Sequence, residues 1–158
     1  MNALPQIDIC PATWRDLFAV RELERACFGA DAWGLLELSF ALLSPSIRLK
    51  VVAANPAAPG RTAERLVGFA IGETRPAEQE GWIATIGVHP QFQRQGIGRR
   101  LLAAVEARLA QPVLKLTVRV SNMPAQALYR EFGYRPVSQI ARYYSGGEDG
   151  VVMEKRRA

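Results

Sequence analysis

Two different spacings of apolar residues follow one another in the middle of the chain. The first is a nearly continuous apolar run, typical of a strand that is covered on both faces. Its members are Ile83, Ala84, Ile86 and Val88. The second is a repeat of every four residues, as on one face of an amphipathic helix. Its members are Ile97, Leu101, Val105 and Leu109. The sequence therefore predicts a buried strand followed by a helix.

The segment between this strand and this helix contains two closely spaced glycines, Gly96 and Gly98. Glycine lets the backbone turn tightly and approach a ligand closely. A helix that begins here directs its first N–H groups, and the positive end of its dipole, into the turn. These features predict a binding site for a phosphate group. Within the strand itself, Gly87 marks a bulge or the close approach of another group.

Further elements are predicted on both sides of this motif. Strands at 48–54, 66–73 and 82–88 have hairpin-length links, which favours antiparallel pairing, and the link 55–64 is predicted to be an exposed loop. A strand at 113–120 should lie parallel to 82–88, because such a crossover is right-handed. The other predicted strands are at 7–9, 134–137 and 151–153. The other predicted helices run from the N-cap Thr13 through Glu24, over 32–43, and from the N-cap Asn122 to Gly133. The first two helices either cover a substrate or only pack on the core.

Composition and charge narrow the class of protein. A length of 158 residues predicts a single domain over 1–158, and no apolar run approaches the roughly 20 residues that span a bilayer. The absence of a visible signal peptide and the two cysteines, interpreted as reduced thiols, predict a cytoplasmic protein. The net charge of +5 owes much to Arg94, Arg99, Arg100 and the tail 155–157. Such a charge suits nucleic acid, an acidic protein surface or a phosphorylated cofactor, and since no nucleic-acid motif accompanies these arginines, they favour the cofactor over nucleic acid. No membrane partner is expected.

The order of several motifs resembles the GNAT acyl-CoA N-acyltransferases. The resemblance is carried by Gln93-x-x-Gly96-x-Gly98, Asn122, Ala127-Leu128-Tyr129 and Gly133-Tyr134. Val118-Arg119-Val120-Ser121-Asn122, Arg142-Tyr143-Tyr144 and Glu148-Asp149-Gly150 are similar to the RimI-like branch, which acetylates the N-terminus of a ribosomal protein. The resemblance implies an α+β fold of the GNAT type: a mixed, mainly antiparallel central sheet of about seven strands, about four helices, and one parallel strand pair at the cofactor site. It also implies acetyl-CoA as cosubstrate and no metal.

The same resemblance implies roles for individual residues. The cofactor-binding set is Ile86, Gly87, Val88, Gln93, Arg94, Gln95, Gly96, Ile97, Gly98, Arg99, Asn122 and Tyr129. In that set the backbone of 86–88 would hold the pantetheine arm, and a strand N–H near Val88 would meet the oxyanion. Asn122 would bind the arm, cap a helix, or do both. Tyr129 would be the general acid at the sulfur or a packed core tyrosine. Tyr143 and Tyr144 would line the acceptor pocket, and Glu148 would hold a substrate cation.

The general base is where the sequence departs from the RimI-like branch. That branch implies a glutamate at the position of Thr117, and a threonine cannot accept a proton at neutral pH. Other candidate carboxylates are Glu73, Glu80, Glu148 and Asp149. Without a strong base, acetyl transfer to a peptide α-amine with a pKa near 7.7–8.0 is slowed far less than transfer to a lysine with a pKa near 10.4. The reason is that about a tenth of the α-amine is already neutral at pH 7.

The main hypothesis is therefore acetyl transfer to a peptide or protein N-terminus by direct attack in a ternary complex. No nucleophile is visible, since Cys10 and Cys27 lie far from the motif in sequence. Three alternatives stay open at this point: an acetyltransferase for a small-molecule amine, a non-catalytic acyl-CoA sensor, and an RNA- or ribosome-associated module.

Overall fold

A computed structural model describes residues 7–44, 49–54 and 66–158, and the structural statements below refer to these residues. Within them, seven strands form one sheet in the order β1-β2-β3-β4-β5-β7-β6. The strands are β1 (Asp8–Pro11), β2 (Leu49–Ala54), β3 (Leu66–Arg75), β4 (Glu80–Val88), β5 (Val113–Arg119), β6 (Arg135–Ile140) and β7 (Gly150–Arg156). The helices are α1 (Leu17–Phe28), α2 (Leu35–Leu43), α3 (Ile97–Arg108) and α4 (Met123–Glu131).

The pairing of the strands confirms the predicted topology. Strands β1 to β4 form an antiparallel series, and β5, β7 and β6 form a second one. The two series meet at β4 and β5, which run parallel because α3 carries the chain back across the sheet between them. The mixed, mainly antiparallel α+β fold is therefore confirmed. The predicted loop at 55–64 lies outside the described residues.

Strands β4 and β5 pair along only part of their length. Their ladder runs from Glu80 opposite Val113 to Ile83 opposite Leu116, after which the two strands separate. The N–H of His89 donates to the Val67 carbonyl on β3 at 2.8 Å. Because backbone polar groups alternate between the two sides of a strand, those of Ile86 and Val88 point the other way, into the gap.

Helices cover both faces of the sheet and build two apolar cores. On one face, α3 and Tyr129 of α4 pack on strand residues such as Ile83 and Leu116. On the other face, α1 and α2 pack on Phe69 and Ile71 of β3. The four-residue repeat of α3 predicted its buried face, since Ile97, Leu101 and Val105 are at most 2% exposed. None of the helices in the described part of the chain is both long and apolar enough to span a bilayer.

The first two helices start later than the sequence predicts. Residues Trp14–Asp16 form a 3-10 turn whose N-cap is Thr13, and the Asp16 carboxylate accepts the Thr13 N–H at 2.7 Å. The α-helix proper begins only at Leu17. Helix α2 begins at Leu35 rather than at 32, because Gly34 is extended at its N-cap with ψ of 170°. The connection between the two helices contains a second 3-10 turn, Gly29–Asp31.

Candidate active site

A cavity of about 760 Å³ lies where β4 and β5 separate. From the face that carries α3 and α4 it is lined by Asn122, Ala125 and Tyr129. From the opposite face it is lined by α1 and the loop after it, including Phe28 and Trp33. The lining of the cavity therefore comes from both faces of the sheet.

The start of α3 has the geometry of an anion site. Gly96 caps the helix in the left-handed region, with φ of +76°, and a Cβ there would meet no heavy atom within 4 Å. The first hydrogen bond of the helix joins the Arg100 N–H to the Gly96 carbonyl at 3.1 Å. The N–H groups of the three residues between them have no acceptor within the helix, because a helix begins with such groups. The backbone therefore forms a cradle of free N–H groups of the kind that a phosphate site needs, and the binding of a phosphate there stays a prediction.

The side chains around this cradle have different surroundings. The Gln93 amide donates to the Val88 carbonyl at 3.1 Å, on the open edge of β4. Arg94 has a positive φ of 62° and is exposed. Arg99 forms an ion pair with Glu131 of α4, and its guanidinium lies 5.5 Å from the centroid of the Phe132 ring. Its predicted contact with the cofactor stays a prediction, because in this structure Arg99 is engaged by Glu131.

Gly87 allows another element to approach β4, and it is not a bulge. A Cβ at Gly87 would lie 2.9 Å from Cε1 of Phe69 and 3.1 Å from Sγ of Cys27, at the end of α1. The register shift of β4 against β3 lies instead between the pairs Ile71–Thr85 and Gly72–Ile83. Of the two interpretations of Gly87, the close approach of another group is therefore confirmed and the bulge is wrong, and β4 separates from β5 at Ala84.

Helix α4 brings two predicted cofactor residues to the cavity. The side-chain oxygen of Asn122 accepts the Ala125 N–H at 3.2 Å, so the helix-capping role is confirmed. Tyr129 is 7% exposed and packs edge to face on Tyr134, with ring centroids 6.1 Å apart. Burial raises the pKa of Tyr129 well above its usual value, so its hydroxyl is protonated at neutral pH and available as a donor.

An ionic cluster holds two loops together at the opposite end of the cavity. Arg119, at the end of β5, pairs with Asp31 in the loop after α1 and with Glu148 in the loop before β7, the latter at 2.5 Å. The Asp31 carboxylate also accepts the Ser145 N–H at 2.9 Å. We call Asp31, Arg119, Ser145 and Glu148 the Arg119 clasp. It joins the loop that follows α1 to the loop between β6 and β7.

Two tyrosines stand beside the clasp and line the same cavity. The rings of Tyr143 and Tyr144 meet edge to face at 4.9 Å, and the Arg119 guanidinium lies 4.3 Å from the Tyr144 centroid. The Tyr144 hydroxyl donates to the Thr117 carbonyl at 3.2 Å. Both tyrosines therefore line the cavity, and their predicted contact with the acceptor stays a prediction.

Comparison with known proteins agrees with this geometry. A model of the acetyltransferase (GNAT) family matches residues 19–134. The N-alpha-acetyltransferase RimI of Mycobacterium tuberculosis is 36% identical over 94% of this chain and 92% of its own. This chain belongs to the acetyltransferase (GNAT) family. Its fold superposes with a TM-score of 0.82 on the ribosomal-protein-S18-alanine N-acetyltransferase of Escherichia coli, at 25% identity over 96% of this chain and 94% of that one.

The donor of this GNAT acetyltransferase is acetyl-CoA, and the site fits it. The cradle at Gly96 suits the pyrophosphate, and the open edge of β4 suits the amide-containing arm. NAA60 of Arabidopsis thaliana has the same fold in its complex with acetyl-CoA, with a TM-score of 0.81 and 18% identity over 96% of this chain and 98% of that one. No cluster of three or more side chains that could hold a metal occurs among the described residues.

None of the carboxylates that the sequence offered as a base faces the cavity unengaged. Glu148 accepts hydrogen bonds from Ser121 and Arg119, which lower its pKa to about 2, so it holds a cation of its own chain rather than one of the acceptor. The hydrogen bonds from Lys115 and Trp82 likewise lower the pKa of Glu80. Glu73 pairs with Arg75 at 3.1 Å.

Asp149 and Thr117 do not supply a free base either. The N–H of Arg142 and the amide of Gln139 lower the pKa of Asp149. Thr117 lines the cavity, with its Cγ2 against Gly150. This GNAT chain therefore has no titratable group where the resemblance implies the glutamate.

Two residues that line the cavity were not assigned to it from the sequence. Glu24 of α1 is 0% exposed, and its carboxylate accepts hydrogen bonds from the Thr85 hydroxyl and the Trp33 N–H, both at 3.1 Å. A signal existed, because Glu24 falls on the apolar face of α1 with Val20, four residues earlier. Cys27 is distant from the motif in sequence but adjoins Gly87 in space. Burial and the nearby Glu24 raise the pKa of Cys27 to about 11, so it remains a thiol.

Proposed function

We propose that this acetyltransferase transfers the acetyl group of acetyl-CoA to the N-terminal α-amine of a peptide or protein, by direct attack in a ternary complex. The observation that carries the proposal is the cavity in the gap between β4 and β5, which is lined from both faces of the sheet, together with the free helix N–H groups at the start of α3. The full-length similarity to RimI of M. tuberculosis supports the choice of acceptor.

The donor would be held mainly by backbone groups. The N–H groups at the start of α3 would bind the pyrophosphate, and Ile86 and Val88 would pair with the arm as a neighbouring strand does. Acetyl-CoA supplies an activated acetyl thioester. Tyr129 would donate a hydrogen bond or a proton to the sulfur, which its protonated hydroxyl supports. Asn122 would fix the start of α4 and contact the arm.

The carboxylates of the site favour an α-amine as acceptor. Glu73, Glu80, Glu148 and Asp149 are engaged by neighbouring donors. An acceptor with a pKa of about 7.7–8.0 needs little help to lose its proton at neutral pH, whereas a lysine near 10.4 needs much more. Cys27 does not compete as a nucleophile, because its raised pKa keeps it protonated.

The donor site is tested by a matched pair of variants at Gly96. Asparagine and aspartate have the same shape and both tolerate a positive φ, so Gly96→Asn and Gly96→Asp differ chiefly in charge. We expect acetyl-CoA to raise the melting temperature of the wild type and of Gly96→Asn, and Gly96→Asp to lose most of that shift. Equal melting-temperature shifts in the two variants would show that the pyrophosphate does not bind next to Gly96.

The acceptor and Tyr129 are tested by release of CoA thiol with a panel of amines. Peptides that begin with alanine, the residue named for the E. coli structure, should turn over faster than N-terminally blocked lysine peptides or small amines. Tyr129→Phe should lower kcat and leave the acetyl-CoA shift unchanged. Binding of acetyl-CoA without turnover of any amine in the panel would favour the acyl-CoA sensor. Faster turnover of small amines than of peptides would show that the acceptor is a small molecule and not a peptide.

Two further expectations accompany this proposal. A single domain is supported by the sheet that extends from Asp8 to Arg156. A cytoplasmic location is supported by Cys10 and Cys27, which are thiols rather than a disulfide in the described chain.

A further inference from the structure

A carboxylate is buried next to the acceptor end of the cavity and takes no part in the roles assigned so far. Glu24 is fully enclosed between α1 and β4, yet it lines the cavity. One of its oxygens accepts the Thr85 hydroxyl of β4, and the other accepts the Trp33 N–H from the loop after α1, both at 3.1 Å. None of the ion pairs of the described residues includes Glu24.

Packing alone does not account for a carboxylate at this position. A glutamine of the same shape could accept the Trp33 N–H through its carbonyl and donate its amide to the Thr85 oxygen. A buried carboxylate without a cation costs free energy that the amide would not. A carboxyl group rather than an amide at position 24 therefore calls for a chemical reason.

Thr85 lines the same cavity as Glu24 and is 8% exposed, whereas Glu24 is 0% exposed. It follows Ala84, where β4 separates from β5, and its side chain also lines the cavity. Its hydroxyl proton is directed at Glu24, which leaves the oxygen lone pairs to accept a hydrogen bond from an acceptor amine. Glu24 itself is 0% exposed and cannot touch the acceptor.

We propose that Thr85 and Glu24 form the relay that takes the proton from the acceptor ammonium, in place of the glutamate absent at Thr117. The inference rests on the proposed function. As the ammonium proton moves to the Thr85 oxygen, the Thr85 hydroxyl proton moves to Glu24, which leaves a neutral amine and a neutral glutamic acid. The amine nitrogen then bonds to the acetyl carbon and the carbon–sulfur bond breaks. The sulfur leaves with the bonding electrons and takes the second proton of the nitrogen, and Glu24 later returns its proton to solvent through Thr85.

The other charged and titratable groups around the cavity leave Glu24 as the group suited to this step. Asp31 pairs with Arg119, and Glu73 pairs with Arg75, so the cations are already compensated. Cys27, with a pKa of about 11, Tyr144, with a pKa of about 12, and the more strongly shifted Tyr129 are all protonated at neutral pH. Desolvation raises the pKa of Glu24, which makes it a stronger proton acceptor than an exposed carboxylate.

The test is the pH profile of kcat with a peptide acceptor, for Glu24→Gln, Thr85→Val and the matched control Thr85→Ser. Because about a tenth of an α-amine with a pKa of about 7.7–8.0 is already neutral at pH 7, Glu24→Gln should lose about 5–10-fold in kcat at that pH. The loss should shrink as the pH rises past the amine pKa of about 7.7–8.0, because a neutral amine no longer needs the relay. Thr85→Val should show the same profile, and Thr85→Ser should keep the wild-type profile.

A merely structural role predicts a different result. If Glu24 only holds the loop after α1, Glu24→Gln lowers kcat by the same factor at every pH, or raises KM alone, and the relay is overturned. Wild-type kcat and profile in Glu24→Gln would also overturn it. The proposed function is tested separately, by the acetyl-CoA melting shift and the peptide turnover of the wild-type protein, so it can hold even if the relay is refuted. If Glu24→Gln does not fold, the comparison of Thr85→Val with Thr85→Ser decides, and equal profiles in that pair would refute the relay.

Discussion

Adding one methyl group at Gly87 tests how tightly α1 is held against β4. In Gly87→Ala the new Cβ would lie 2.9 Å from Phe69, 3.1 Å from Cys27 and 3.3 Å from Phe28, all closer than ordinary contact. Phe69 is 1% exposed and has no room to withdraw, so the end of α1 must move. Overpacking of this kind costs about 1–3 kcal/mol. Replacing a glycine in a strand by alanine stabilises the fold by about 0.5–1 kcal/mol, which offsets part of this cost.

The expected net loss is about 1 kcal/mol, which lowers the melting temperature of a chain of this size by about 2–4 °C. The matched control is Gly98→Ala, whose Cβ would meet Leu128 and Val88 at an ordinary 3.8 Å inside α3. That variant should be stabilised by about 0.4–1 kcal/mol, since alanine narrows the unfolded ensemble. Both changes can be measured by urea unfolding and by melting temperature.

The same change predicts which substrate is affected. Cys27 and Phe28 line the cavity, whereas the backbone groups of Gly87 face β3 and not the gap. Gly87→Ala should therefore raise the KM of the peptide acceptor and leave the acetyl-CoA melting shift unchanged. Cys27→Ala in the same chain should recover part of the loss, with a coupling of about 0.5 kcal/mol or more. A Gly87→Ala protein as stable as the wild type would refute the close approach of α1.

Two further predictions concern charged and titratable groups. Because hydrogen bonds lower the pKa of Glu148 from 4.5 to about 2, the stability that it contributes is present above about pH 4.5 and is lost as the pH falls towards 2. Urea midpoints over this range should fall less steeply for Glu148→Gln than for the wild type, and parallel curves would contradict the clasp. Since the pKa of Cys27 is about 11, acetyl-CoA without an acceptor should leave the protein unacetylated in intact-mass spectra, and Cys27→Ser should keep its turnover. An acetylated Cys27 would contradict direct transfer.

Local signals in the sequence predicted the donor side well. The change of spacing at Gly96 located the strand, the turn and α3, and the length of the crossover predicted that β4 and β5 are parallel. Asn122 was recognisable as a helix cap because the donor that it satisfies is three residues away. Each of these features depends on neighbours in sequence, where spacing carries the information.

The acceptor side depends on contacts between distant segments. Asp31 and Ser145 are 114 residues apart, and Glu24 and Thr85 are 61 apart. Spacing gave no sign of either pair. The sequence predicted that Glu148 holds a substrate cation and gave no sign of its ion pair with Arg119, which forms because pairing of β5 with β7 sets Arg119 opposite Gly150 and next to Glu148.

The short ladder between β4 and β5 has a consequence for the order of events in turnover. The two antiparallel halves of the sheet are joined by the β4–β5 ladder, in which four residues of each strand are paired. A donor arm bound along Ile86 and Val88 would extend the pairing beyond these four residues and restrict the motion of β5. Strand β5 also carries Thr117 and Arg119 at the acceptor end. We therefore expect the two substrates to bind cooperatively, with acetyl-CoA first and the peptide second.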